Sequence, residues 1–248
     1  MPKRSKSQKS HSPLSGTVAL ITGASRGIGL AIARALAAQG CHLILTGRSL
    51  PALQKAAREL SRKKIQVLAK TCDVRDPQSV KALASTIKKQ FDRADILVNN
   101  AGISHASRPV QALAYESWKD VIDTNLNGLF LVTHEILPLM RRGGAIVNNL
   151  SIAASRVFPG SSAYNASKHG ALGFTETLRE ELRPKGIRVI ALLPGATDTE
   201  IWNTLWPDAP RKKMMSPDTV AQAVVYALSL PENSTLEELK LLPSAGAL

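Results

Sequence analysis

Apolar runs of strand length alternate with helix-length amphipathic stretches from Thr17 almost to the end of the chain, and no other feature narrows the choice of fold as much. Such alternation is the pattern of βαβ units, in which each crossover helix buries its apolar stripe against a parallel sheet. Seven strands are predicted, at 17–22, 42–46, 65–72, 95–98, 144–149, 187–193 and 236–242. They suit one α/β domain built on a doubly wound, mostly parallel, seven-stranded sheet with helices on both faces. Helix starts are also legible. Asp76-Pro77 precedes an amphipathic stretch at 80–91 and Ser216-Pro217 precedes another at 220–230. Each pairs a capping side chain with a proline at the first helical position. Gly40 and Gly186 follow helical stretches, as left-handed C-terminal residues do.

With 248 residues, 44% apolar and 21% charged, the chain has the composition of a soluble globular protein and the length of one large domain. No internal repeat or second domain is visible. Cys41 and Cys72 are too few for a disulfide framework and have no C-x-x-C or histidine cluster nearby, so a reducing, cytoplasmic setting and no metal site are expected. No apolar run approaches the roughly 18–20 residues that cross a bilayer. Residues 1–15 carry Lys3, Arg4, Lys6 and Lys9 among serines without a signal-peptide core. They are expected to be a disordered basic tail, leaving 16–248 as the domain. The net charge of +13 suits nucleic acid, anionic lipid or a ligand with several phosphates. Aromatic residues make up only 4% and do not interleave with basic ones, which argues against a specific nucleic-acid partner. No membrane partner is expected either. Any association through the tail would be salt-sensitive and would disappear on removal of residues 1–15.

The first predicted strand runs into Thr22-Gly23-Ala24-Ser25-Arg26-Gly27-Ile28-Gly29, which opens a helix rich in Ala and Leu. Residues without side chains let backbone amides approach a pyrophosphate at the positive end of a helix, and let that helix pack on the sheet. Glycines occur in any βα turn, but a strand before and a helix after, at the start of an alternating chain, point to a dinucleotide. Folds of this kind that prefer NAD place an acidic residue at the end of the second strand. This strand ends in Leu45-Thr46-Gly47-Arg48-Ser49, with no carboxylate. Arg48 and Arg26 are candidates to converge on a 2′-phosphate, where charge-assisted contacts contribute roughly 1.5–3 kcal/mol each. NADP(H) is therefore favoured over NAD(H); solvated surface arginines are the plainer alternative.

Tyr164 and Lys168 stand four residues apart, and Ser151 lies thirteen residues before the tyrosine. If 162–183 is helical, the pair shares one face, and a cation beside a phenol favours the tyrosinate by roughly 1.4 kcal/mol for each unit of pKa shift. Such a spacing also arises by chance on helices, so it gains meaning only from its companions.

Six motifs agree in order and spacing: the glycine loop at 22–29, Asp73 in Cys72-Asp73-Val74, Asn99-Asn100-Ala101-Gly102, Asn125 in Thr124-Asn125-Leu126, the set Ser151, Tyr164 and Lys168, and Pro194-Gly195 followed by Thr199. Together they resemble the short-chain dehydrogenase/reductase superfamily from residue 16 to about 242. The resemblance implies a Rossmann-type fold and an NADP-dependent oxidoreductase that moves hydride between nicotinamide and a ketone or secondary alcohol. It implies that Tyr164 is the general acid or base, that Ser151 holds the substrate oxygen, and that Lys168 lowers the tyrosine pKa and binds the nicotinamide ribose. Asn125 would position a water linking the lysine to solvent. Cofactor contacts would come from Gly23, Ser25, Arg26, Gly27, Ile28, Gly29 and Arg48, with Asp73 and Val74 at the adenine. Asn99, Ala101 and Gly102 would pass beside the adenosine ribose, and Gly195 and Thr199 would lie near the nicotinamide.

Duller readings stand beside these: Asp73 as a turn residue, Asn99 and Asn100 as satisfiers of buried backbone, and Thr199 as a cap for a helix beginning near Glu200. His105, His134 and His169 share no ligand spacing and are expected at the surface or lining a site. Trp202 and Trp206 suit either an apolar helix face or a lid over substrate. The chain's end resembles family members acting on short 3-oxo or 3-hydroxy acids and miscellaneous carbonyls. A homo-dimer or homo-tetramer is also implied, pairing through helices around 116–140 and 162–183 and through the last strand. A dinucleotide-sensing interaction protein without significant turnover is the alternative, although a sensor has no need of the full Asn125, Ser151, Tyr164 and Lys168 set.

Overall fold

The computed structural model describes residues 12–61 and 65–246. Its strands are β1 (Val18–Thr22), β2 (His42–Gly47), β3 (Val67–Thr71), β4 (Ile96–Asn99), β5 (Ala145–Asn149), β6 (Arg188–Pro194) and β7 (Glu238–Leu241), each within two residues of its predicted limits. They form one sheet of order β3-β2-β1-β4-β5-β6-β7 in which every neighbouring pair is parallel. Central strands read as continuous apolar runs because both faces of the sheet are covered. Val18, Ala19, Leu20 and Ile21 are all buried, as are Val189 to Leu193. The edge strand β7 alternates between exposed and half-buried positions.

On one face, α1 (Gly27–Ala38), α2 (Leu50–Leu60) and α8 (Pro217–Leu228) pack Leu36, Leu53 and Val224 into a shared apolar cluster. On the other, α3 (Pro77–Phe91), α5 (Gly128–Ile136) and α6 (Ser162–Leu182) contribute Ile87, Ile136 and Leu178 to a second cluster. The predicted caps form. The Asp76 carboxylate accepts from Gln78 N at 2.9 Å and the Ser216 hydroxyl from Thr219 N at 3.2 Å, interactions typically worth about 1 kcal/mol each. Between α4 (Tyr115–Ile122) and α5 the helix widens into a π turn at Asp123–Asn127, which the sequence pattern did not announce. π turns of this kind are frequent at functional sites.

The ordered body begins earlier than the predicted boundary at residue 16. Residues 12–16 form a turn with Leu14 buried, and its carbonyl accepts from Thr17 Oγ1 at 2.7 Å and Cys41 Sγ at 3.3 Å. Leu14 is apolar enough to join the core, whereas the serines and proline around it read as tail. The rest of the predicted tail, 1–11, lies outside the described residues. Among the described residues no helix is long and apolar enough to cross a membrane, and no group of three His, Cys, Asp or Glu side chains is placed to hold a metal ion.

Chain order reverses between β1 and β4, which leave their shared boundary in opposite directions across the sheet. Ligands of open parallel sheets bind beyond the carboxyl ends of the strands at such a switch point. A cleft of about 890 Å³ opens there.

Candidate active site

The floor of the cleft is made where β1 and β4 end. Thr22 Oγ1 accepts from the backbone N–H groups of Asn100 and Ala101, both at 2.9 Å, and Asn100 Nδ2 donates to Thr22 O at 2.9 Å and Gly23 O at 3.2 Å. This stitching brings α1 close against the strand. A Cβ at Gly29 would lie 2.4 Å from Asn100 Nδ2, and Gly23 adopts φ +64°, so neither position accepts a side chain without strain. Gly23, Ser25, Arg26, Gly27 and Ile28 line the cleft, while Gly29 serves the packing beneath it.

One end of the cleft is rich in arginine. Arg26 and Arg48 line it, and neither side chain makes a hydrogen bond or ion pair among the described residues. Arg75 lies beside them and was not anticipated from the sequence. It grips Asp73 from two sides, Nη2 to Oδ2 at 2.7 Å and Nε to Oδ1 at 3.0 Å, and reaches Asp120 at 3.2 Å. The Arg75 hydrogen bonds hold the Asp73 carboxyl below its usual range, with the Arg48 charge adding to the effect. Both Asp73 oxygens are therefore already acceptors, which leaves less capacity for an adenine amino group than the sequence suggested. The only signal that could have revealed this pair is the two-residue spacing of opposite charges just after β3. Val74, Ala101 and Gly102 line the cleft.

Asn99 does not line the cleft. Its Nδ2 donates to Thr133 Oγ1 at 3.0 Å and Asn148 Oδ1 at 2.9 Å, and Asn148 Nδ2 donates in turn to Thr175 Oγ1 at 2.9 Å. The alternation of side chains along a strand turns Asn99 into the interior, where it satisfies a buried polar chain. It is Asn100 that faces the glycine loop.

Ser151, Tyr164 and Lys168 gather at the other end. Ser151 follows β5 at the start of a short 3₁₀ turn and accepts from Ala153 N at 3.1 Å. Tyr164 and Lys168 project from the first turns of α6 into the same cleft. Lys168 is only 6% exposed, its Nζ lies 5.6 Å from the centre of the Tyr164 ring, and it donates to Asn149 O at 3.1 Å. Asn149 Nδ2 donates to Asn100 Oδ1 at 2.8 Å, so a hydrogen-bonded chain joins the lysine to the glycine loop. Burial pushes the Lys168 ammonium down to about 8. The sequence reading expected the lysine to lower the phenol. In the protein itself burial is the larger influence and raises the Tyr164 pKa, with the Ser151 hydroxyl acting in the opposite sense. Desolvation penalises the charged form of both groups, so it moves the acid up and the base down.

Asn125, set by the π turn, stands behind the cleft wall rather than on it. Its Nδ2 donates to Ile103 O at 2.9 Å and Ser167 Oγ at 3.1 Å, while Oδ1 accepts from Ile103 N at 2.8 Å. Both amide N–H groups are thus engaged in tying the 103 loop to α6. A side chain at Gly102 would point at this junction, its Cβ 3.3 Å from Asn125 Oδ1 and 3.7 Å from Lys168 Nζ.

The segment after β6 closes the cleft. Gly195 and Thr199 line it, and Thr199 caps no helix, since the short α7 (Trp202–Leu205) has Ile201 at its N-cap. Arg211, also unanticipated, clamps this segment: Nη1 donates to Asp198 Oδ1 at 2.7 Å and Thr199 O at 2.6 Å, and Nη2 to Asn203 Oδ1 at 2.7 Å. Trp202 and Trp206 both line the cleft, their rings edge to face with centres 6.4 Å apart. His134 and His169 are exposed, but His105 is buried, its Nδ1 2.8 Å from Ala106 O.

A glycine-lined crevice at the switch point of a parallel sheet, with Ser, Tyr and Lys side chains facing it, defines the class of doubly wound dinucleotide-site folds. The sequence matches the family model described as short chain dehydrogenase over residues 17–210. Sulfoacetaldehyde reductase 2 of Chromohalobacter salexigens is 36% identical over 244 residues, covering 93% of this chain and 95% of that protein. Among solved structures, an alcohol dehydrogenase from the archaeon Thermococcus sibiricus, complexed with 5-hydroxy-NADP, superposes with a TM-score of 0.87 at 34% identity, covering 93% of this chain and 97% of its own. A 3-ketoacyl-(acyl-carrier-protein) reductase from Brucella melitensis, complexed with NADH, gives 0.84 at 30% identity, covering 93% and 98%. The chain belongs to the short-chain dehydrogenase/reductase superfamily of oxidoreductases.

Proposed function

We propose that this protein is an NADP(H)-dependent oxidoreductase that interconverts a ketone and a secondary alcohol, with Tyr164 as general acid in reduction and general base in oxidation. The observation that carries the reading is the convergence on one cleft of the Tyr164 phenol, the Ser151 hydroxyl and the buried Lys168 ammonium. The dinucleotide, when bound, supplies or accepts the hydride. Ser25, Gly27 and Ile28 would hold its pyrophosphate by backbone N–H groups at the start of α1. The guanidinium groups of Arg26 and Arg48, unpaired among the described residues, suit a 2′-phosphate, which supports NADP(H) over NAD(H). Val74, Ala101 and Gly102 would flank the adenosine, with Gly195, Thr199 and Lys168 at the nicotinamide half.

In reduction, Ser151 donates a hydrogen bond to the carbonyl oxygen and Tyr164 gives that oxygen its proton as negative charge develops. A phenol pKa raised by burial keeps this proton in place at neutral pH. In oxidation the same phenol must first lose its proton, and the Lys168 cation stabilises the tyrosinate from beside the ring. Asn125 acts at one remove, by fixing the 103 loop against α6. For assembly we propose a homo-oligomer, a reading supported by the exposed Tyr115 and Phe130 on α4 and α5.

The test is Tyr164→Phe. Losing the acid should lower turnover by about 10²–10⁴ while NADPH binding, followed by fluorescence, stays nearly intact. Unchanged turnover on any reduced carbonyl would overturn the assignment.

A further inference from the structure

We propose that the substrate is a neutral carbonyl compound with a flat, apolar body, held against Trp202 and Trp206, rather than the short oxo acids suggested by the chain's end. This rests on the reductase reading above. Beyond Tyr164, one wall of the cleft is Ile201, Trp202, Leu205 and Trp206, with Phe158 joining it from the turn before α6. Ser104, Ser107 and Ser161 also line the cleft. Ser104 Oγ is buried with no hydrogen-bond partner among the described residues.

Charge is distributed against an anion. Of the cationic side chains lining the cleft, Arg26, Arg48 and Arg75 belong to the far end, beyond the glycine loop, and Lys168 is held at Asn149 O beneath the phenol. The segment 194–206 gives the cleft one charged side chain, Glu200, whose Oε2 would lie 3.6 Å from a Cβ at Gly27 beside the glycine loop, so the segment brings no cation to the aromatic wall. A carboxylate or sulfonate entering this apolar wall would lose its hydration with no counter-charge to replace it, a cost that neutral compounds avoid.

The aromatic wall is also built to stay in place. Trp202 Nε1 donates to Thr197 O at 2.9 Å, Thr197 bridges to Met215, and Arg211 clamps Asp198, Thr199 and Asn203. A pre-set indole pair favours a flat partner, because aromatic contacts add to the area they bury without a cost of ordering.

The experiment follows NADPH consumption with three methyl ketones: 4-phenyl-2-butanone, 2-pentanone and 4-oxopentanoate. The expected kcat/KM for the phenyl ketone is about tenfold above that for 2-pentanone, and the oxo acid falls roughly tenfold or more below both, as burial of an apolar ring and of an unpaired charge dictate. Trp206 is 46% exposed and its side chain makes no hydrogen bond among the described residues, so Trp206→Ala should fold. In that variant the preference for the phenyl ketone over 2-pentanone should collapse toward unity through KM, and Trp206→Phe should restore most of it. Equal or better use of 4-oxopentanoate, or a Trp206→Ala preference equal to that of the parent, overturns the proposal while leaving the reductase reading intact. A protein that binds NADPH but oxidises it with no member of a broad carbonyl panel removes both.

Discussion

The two ends of the cleft solve recognition by opposite means. At the end formed by the loops after β1, β2 and β3, Arg26 and Arg48 stand unpaired among the described residues and Arg75 is locked to Asp73. At the other end, Trp202, Trp206, Leu205 and Phe158 present apolar surface, and the one charged group their segment adds, Glu200, turns back toward Gly27 of the glycine loop. The first end recognises through charge, which acts at a distance and weakens with salt. The second recognises through shape and desolvation, which act only on contact. Between them sit the half-buried Tyr164 and the buried Lys168.

This contrast can be broken most severely at its charged end. Arg48→Ala should weaken NADPH binding by roughly 10- to 150-fold, the equivalent of one charge-assisted contact of about 1.5–3 kcal/mol, while NADH affinity barely changes. Equal affinities of the parent for the two dinucleotides would show that the arginines are solvated surface charges. A control lies in the interior. Asn99→Ala should lower stability in urea by about 1–3 kcal/mol, because Asn148 Oδ1 loses its donor, yet leave NADPH affinity nearly unchanged. A selective loss of NADPH binding would instead return Asn99 to the cleft.

The smallest effect concerns the junction. Lys168 has a folded-state pKa of about 8, below its ordinary value of 10.5. Between these values the unfolded chain binds more protons than the folded one, so folding stability gains as pH rises through that window and the burial penalty is fully present below it. The parent should therefore gain roughly 1 kcal/mol between pH 8 and 9 relative to Lys168→Met, measured by urea unfolding. The comparison with the variant cancels the opposite trend from the buried cysteines, whose thiol pKa values are raised by burial. A flat difference would mean that the lysine is hydrated in the folded protein.

Most of the fold was legible because strands and amphipathic helices write their period into the chain. All seven strands, the caps at Asp76 and Ser216, and the glycine loop were readable from local pattern. Turns that depend on tertiary contact were not. The π turn at Asn125 follows from the need to bond Ile103 and Ser167, which lie far away in sequence. Leu14 was mistaken for tail because nothing nearby revealed that the core had a place for it.

By itself the sequence determined the sheet, the glycine crevice and the presence of Ser151, Tyr164 and Lys168 in one chain, since these depend on residue type and short-range spacing. Only the tertiary structure decided which asparagine faces the glycine loop, that Arg75 occupies Asp73, that burial moves the phenol up and the lysine down, and which side chains wall the cleft. Those outcomes turn on side-chain direction, desolvation and contacts between segments remote in sequence, and no local pattern encodes them.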